Sequence, residues 1–350
     1  MSWLAQAQLL QPDTSKRVNF LVIPVIFTGP ETNWAFGASA SMAFKTTHKN
    51  DSLTRTSIIQ ALGIYTLNKQ YIGGLDATIY FPKERFILYS NVSYSYFPDK
   101  FWGVGPYTKP ADIERYSTSQ LGFSAHLKHK VWKRLFIGAL CDVKHVYDFR
   151  YWEHGNIDTN AIPGKQPYNL VGGGLSISYD TRNSSFYPTR GYFIQTQCIN
   201  YGSYFGSDYN MVKWMAEARY FKQIHTNIIS ATQLFSVVNN GTVPLKSLAM
   251  LGGSDNLRGF YQGRFRDQVY ISLVSELRFP VNEMIGFTLF GGAGNVSHSL
   301  NSWRTDQLKY SYGAGIRLAI RPKDRLNLRI DYGYSDKNNK GLYFTIGEAF

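Results

Sequence analysis

The chain has 350 residues, 44% hydrophobic, 16% aromatic and only 17% charged, with 25 tyrosines, 23 phenylalanines and 31 glycines. It holds no apolar run of the roughly eighteen residues that a membrane-spanning helix needs, so a helical membrane protein is excluded. Aromatic richness with a slightly negative mean hydropathy instead fits strands that alternate lipid-facing apolar and lumen-facing polar residues.

The net charge is +13. Such a balance often marks nucleic-acid binding, but here Lys and Arg are dispersed among Tyr and Phe rather than gathered on one face. Lumen lining and anionic headgroups suit that distribution better. Anionic lipid headgroups are therefore the expected partners, and nucleic acid is not. Cys141 and Cys198 fall in separate strand-like segments and are not expected to bridge or to hold a metal; no cofactor is expected.

Residues 1–17 are read as an N-terminal leader or periplasmic segment. Ala5-Gln6-Ala7 resembles the small-residue end of a secretory signal, without the basic and apolar regions that should precede it. From residue 18 onward, turn residues and charge clusters divide the chain into about sixteen segments. These are 18–28, 34–45, 56–66, 71–81, 84–97, 115–128, 133–148, 170–180, 191–201, 211–221, 227–238, 268–279, 284–297, 308–320, 325–334 and 341–350.

Alternation is clearest in three of them. Val212, Trp214, Ala216, Ala218 and Tyr220 share one face, against Lys213, Met215, Glu217 and Arg219. Ile271, Leu273, Leu277 and Phe279 oppose Ser272, Val274, Glu276 and Arg278. At the C-terminus Leu342, Phe344, Ile346 and Phe350 align. A soluble sandwich would bury such faces against a second sheet; in a membrane barrel they meet lipid. Tight connections alternate with longer ones, as between periplasmic turns and external loops. The predicted fold is all-β: a sixteen-stranded antiparallel transmembrane barrel over residues 18–350, with both termini on the periplasmic side.

Two connections carry motifs. Between the eighth and ninth segments, Asp180 and Thr181 can bond turn amides, Arg182 and Arg190 can pair with Asp180 or lipid phosphate, Pro188 fixes a bend, and Gly191 permits positive φ. The connection from Asn239 to Asp267 is far longer than a hairpin needs. It contains Leu257-Arg258-Gly259-Phe260. An arginine inside a lumen requires a carboxylate there, because an unpaired buried charge is very costly.

Together these motifs resemble the bacterial surface antigen family, the superfamily of BamA and TamA outer-membrane assembly barrels. The resemblance covers roughly residues 170–350. It implies a sixth extracellular loop folded into the lumen, its Arg258 meeting acidic residues on strands twelve and thirteen. Glu276 matches the strand-twelve position. In the strand-thirteen motif, Gly292 stands where the family has aspartate, so one anchor is missing and Glu276 is expected to carry more of the pairing. Leu257 replaces the usual valine. Phe350 resembles the terminal aromatic by which such barrels are recognised for assembly, although Glu348 interrupts its apolar series. No POTRA module fits before residue 18, so a barrel-only member is expected.

An enzyme is not expected. The seven histidines have no metal-site spacing. Neither a Gly-x-Ser-x-Gly elbow nor a Walker loop occurs, and Gly172-Gly173-Gly174 opens a strand rather than a helix. The resemblance implies outer-membrane protein assembly, insertion or translocation through a weak seam between Val18–Thr28 and Leu342–Phe350, with Gly347 weakening that seam. An accessory subunit of a larger outer-membrane complex and a small-solute pore are the alternatives.

Overall fold

The structure is a computed structural model that describes residues 18–47, 54–159, 162–184, 187–321, 326–335 and 339–350. The predicted leader, residues 1–17, lies outside the described residues.

Period-two alternation gives each ring strand one apolar and one polar face. Fifteen hairpin neighbours and a closing pair then form one antiparallel ring of sixteen strands. In chain order these are β1 (Val18–Gly29), β2 (Asn33–Phe44), β3 (Ser57–Thr66), β4 (Tyr71–Tyr80), β5 (Phe86–Phe101), β6 (Glu114–Trp132), β7 (Leu135–Arg150), β8 (Tyr168–Asp180), β9 (Gly191–Tyr201), β10 (Met211–His225) and β11 (Ile228–Gly241). Two three-residue strands, β12 (Ala249–Leu251) and β13 (Phe265–Asp267), pair only with each other inside the long connection. The ring resumes with β14 (Val269–Pro280), its twelfth strand, then β15 (Ile285–Ser297), β16 (Lys309–Arg321), β17 (Leu326–Ser335) and β18 (Lys340–Ile346).

The faces fall as the alternation predicts. On β14, Leu273 and Leu277 are exposed on the outer wall, while Val274, Glu276 and Arg278 are buried inside. On β10, Trp214 and Tyr220 are exposed outward, and Glu217 pairs with Arg219 at 2.6 Å on the other face. Cys141 and Cys198 are free.

Closing a sheet removes its unpaired edges, which lipid does not tolerate. Here the closing ladder is short. Among the described residues β1 meets β18 through one register pair, Thr28↔Phe344. On their other sides, β1 pairs with β2 over all twelve of its residues and β18 pairs with β17 from Lys340 to Ile346.

The C-terminal segment departs from the sequence reading. β18 ends at Ile346 rather than at Phe350. Gly347 adopts φ 88°, and its amide donates to the Asn327 carbonyl at 2.8 Å. The chain thereby turns inward. Glu348 meets Arg317 at 2.9 Å, and Phe350 is buried with Phe221, Leu257 and Phe260 instead of facing lipid beside Leu342. The break in the apolar series at Glu348 is thus a change of direction, driven by arginines inside the barrel. Gly347 supplies the left-handed residue at that corner; it does not belong to a paired stretch of the seam.

Candidate functional site: the long loop inside the barrel

The connection between β11 and β14 folds back on itself. A 3-10 turn, Leu245–Ser247, leads into the β12–β13 hairpin, and the apex between those strands carries the Leu257-Arg258-Gly259-Phe260 motif. Leu251, Leu257, Phe260 and Phe265 bury into one apolar cluster with Val274 and Phe350. Gly259 has φ 106°, and a Cβ there would stand 2.7 Å from the Tyr334 carbonyl carbon. Only glycine fits that backbone against β17.

Arg258 is fully buried. Its Nη2 donates to Glu276 Oε1 at 2.6 Å, and its Nη1 donates to Asp331 on β17. Its guanidinium carbon lies 3.5 Å from the centroid of the Phe290 ring, a cation–π contact that desolvation strengthens. The carboxylates in turn hold other arginines. Glu276 binds Arg278 at 2.8 Å, Asp331 binds Arg317 at 2.6 Å, Glu348 binds Arg317 at 2.9 Å, and Asp255 binds Arg329 at 2.9 Å. Four guanidinium groups (258, 278, 317, 329) therefore face four carboxylates (255, 276, 331, 348). Such a network is tolerable in a low dielectric only because its charges pair.

The structure brings Arg258 onto Glu276 of β14 and onto a second carboxylate. The second carboxylate is Asp331, from β17 rather than β15. At Gly292 a Cβ would meet Leu257 Cδ2 at 3.1 Å, and at Gly294 one would meet Leu257 Cδ1 at 3.0 Å. The larger Leu257 fills the space that the two glycines leave open.

The loop holds three arginines, of which Arg258 alone lies in the motif. Arg266, eight residues beyond Arg258, is also buried. It donates to the Tyr116 hydroxyl at 3.0 Å and the Lys100 carbonyl at 2.8 Å, with Asp99 at 3.8 Å. Arg264 donates to Thr108 through its hydroxyl at 2.7 Å and its carbonyl at 2.9 Å. Burial, the largest influence on Arg264, lowers its pKa. The Tyr261 hydroxyl donates to Asp99 at 2.9 Å. At the opposite wall the Gly259 amide donates to the Tyr343 hydroxyl at 2.9 Å, and the Gln262 amide to Glu31 Oε1 at 2.6 Å. Burial pushes the Glu31 carboxyl up to about 7, against the lowering effect of that amide. The run Arg264-Phe265-Arg266-Asp267 was the available signal for the second set of anchors.

The other motif is a turn. Asp180 accepts from the Arg182 backbone amide at 3.1 Å and from its guanidinium at 3.0 and 2.9 Å. The Thr181 hydroxyl accepts from the Tyr192 amide at 2.7 Å. Pro188 is buried. The Arg190 amide donates to Asn183 at 3.3 Å. Gly191 has φ 108°.

No curated protein matches the chain by sequence. Among solved structures, the barrel is similar to BamA from Haemophilus ducreyi lacking POTRA domains 1–3, at 14% identity and TM-score 0.64, over 95% of this chain and 70% of that one. It is similar to CdiB from Acinetobacter baumannii at 12% identity and TM-score 0.61, over 95% of this chain and 60% of that one. CdiB from Escherichia coli gives 9% identity and TM-score 0.64, over 97% of this chain and 63% of that one. The chain thus spans between 60% and 70% of those chains, and the likeness is one of fold. The Omp85 superfamily domain matches residues 65–350. With that match over most of its length and a closed sixteen-stranded ring, the chain belongs to the Omp85 superfamily and is an integral outer-membrane β-barrel protein.

Proposed function

We propose that this barrel assembles, inserts or translocates polypeptides at the outer membrane by parting its wall between β1 and β18. The observation that carries this reading is the single register pair Thr28↔Phe344. From Val18 to Phe27, β1 has register partners only on β2 among the described residues. Unpaired backbone polar groups in hydrocarbon each cost several kcal/mol. A strand edge in that condition favours pairing with an incoming extended segment, which relieves the cost while the segment is held. Outer-membrane lipid and lipopolysaccharide would surround the wall, and client and partner polypeptides would meet the seam. The Arg258 motif keeps the loop inside the lumen in this reading, which opposes the alternative of an open pore for small solutes.

The test is a lockable seam. Thr28→Cys and Phe344→Cys are combined in a chain with Cys141→Ser and Cys198→Ser, and the barrel is asked to replace the wild type in a deletion strain. Oxidation should abolish function and a reductant should restore it. Full function in the oxidised, cross-linked barrel would reject lateral opening. Large stable conductance of the wild type in planar bilayers would instead favour the pore.

A further inference from the structure

We infer that the apex of the long loop is a clasp that bridges the two edge strands and holds the seam shut at its loop-side end. The inference rests on the reading of the β1–β18 junction as a seam that opens. Four consecutive residues, Gly259 to Gln262, touch both sides of it. On the β18 side, the Tyr343 hydroxyl accepts from the Gly259 amide at 2.9 Å and donates to the Phe260 carbonyl at 3.2 Å. On the β1 side, Glu31, in the turn that follows β1, accepts from the Gln262 amide at 2.6 Å. Both side chains are buried, Tyr343 at 1% exposure and Glu31 at 6%. The lone register pair lies beside these anchors, with Phe344 adjacent to Tyr343 and Thr28 three residues before Glu31.

A bridge transmits force only if it is itself fixed. Here the segment is pinned from behind by Arg258 on Glu276 and Asp331, and by Tyr261 on Asp99. Ordinary hairpin neighbours in this barrel need no such bridge, because their ladders run the length of both strands. The seam has almost no ladder, so the bridge contributes a large share of what joins its two sides. The coupling is reciprocal. A polypeptide that parts β1 from β18 must loosen the loop apex, and whatever draws the apex away must loosen the seam.

The test is amide hydrogen exchange on the full chain in lipid nanodiscs. Tyr343→Phe removes one hand of the clasp and keeps the ring; Glu31→Leu removes the other; Glu31→Gln retains an acceptor. Exchange over residues 25–29 and 342–346 should rise roughly five- to tenfold in Tyr343→Phe and Glu31→Leu, the scale of one ordinary hydrogen bond. It should stay near wild type in Glu31→Gln, and β6–β7 amides should be unmoved in all three. Because one released hand already frees the bridge, the double variant should exchange no faster than the faster single. Wild-type exchange at the seam in both single variants, or strictly additive effects in the double, would overturn the clasp. Should a variant fail to fold, as judged by loss of its heat-modifiable gel band, the yield of the Thr28–Phe344 cross-link in the wild type and in Glu31→Gln gives the same reading. Equal high yields support the clasp, and a low yield in either overturns it. A locked barrel that still functions defeats the proposed function and leaves the clasp standing; unmoved seam amides with an inactive locked barrel do the reverse.

Discussion

Asp331 on β17 accepts a hydrogen bond from Arg258, 73 residues away in sequence, and so takes the place of the aspartate that position 292 lacks. The guanidinium reaches from β14 to β17 and touches both walls. Arg258→Ala would leave Glu276 and Asp331 without their loop partner, and removing one member of a buried charge pair costs about 3–5 kcal/mol. The folded barrel should unfold at a clearly lower temperature on semi-native gels. Arg258→Lys should lie between, since an ammonium cannot span both carboxylates as a planar fork does. An unchanged unfolding temperature in Arg258→Ala would show that the loop is not docked.

Restoring the family aspartate should do harm in this chain. A Cβ at Gly292 would also stand 2.7 Å from the Leu273 carbonyl oxygen and 2.9 Å from Val274 Cγ2. Gly292→Asp is therefore expected to destabilise the barrel by about 1–3 kcal/mol through overpacking. Adding Leu257→Val should recover part of that loss. Heat-modifiability of the three proteins measures it; a Gly292→Asp barrel more stable than wild type would contradict the packing argument.

Glu31 makes loop docking pH-dependent. Its carboxyl has an ordinary value of 4.5 and is raised to about 7 in the docked state, chiefly by burial; the Gln262 amide and Lys100 oppose the rise and Asp99 adds to it. Tyr343 on β18 also faces it. A carboxyl with a raised folded value binds more protons docked than released between these two values. Docking is thus favoured at pH 5 and weakens as pH rises through 7. Amide protection over residues 259–262 should be greater at pH 5 than at pH 8 once intrinsic exchange rates are divided out. Glu31→Gln should remove the difference; its persistence there would assign the effect to another group.

Gly191→Ala tests the turn between β8 and β9. The position has φ 108°, and a Cβ would lie 2.5 Å from the Thr181 carbonyl oxygen. Strain of this kind costs on the order of 1–3 kcal/mol. A slower-folding, less heat-stable barrel is expected, measured by the refolding rate into detergent micelles; a wild-type rate and stability would show that the turn relaxes freely.

Much of this architecture was legible because alternation reports directly on the two solvents of a barrel wall. Trp214 outward and Glu217 inward, or Leu273 outward and Glu276 inward, follow from parity alone. Parity does not say which inward residue faces which across the lumen. That depends on closing all sixteen strands, and it is why parity alone does not pair Asp331 with Arg258. The inward corner at Gly347 was also hidden. Its cause, arginines on β14 and β16 that attract Glu348, is three-dimensional. Arg264 and Arg266 stand in the sequence as plainly as Arg258, but their partners Thr108, Lys100 and Tyr116 lie about 150 residues away.

The inward C-terminal segment sets an order of events for biogenesis. Phe350 packs with Phe260, and Arg278, itself bonded to Glu276, donates to the Phe350 carbonyl at 3.1 Å. The berth for the loop is therefore built partly from residues synthesised ninety positions after it. A ring without its last strand has no complete berth to offer. Seating of the loop therefore requires the whole circumference.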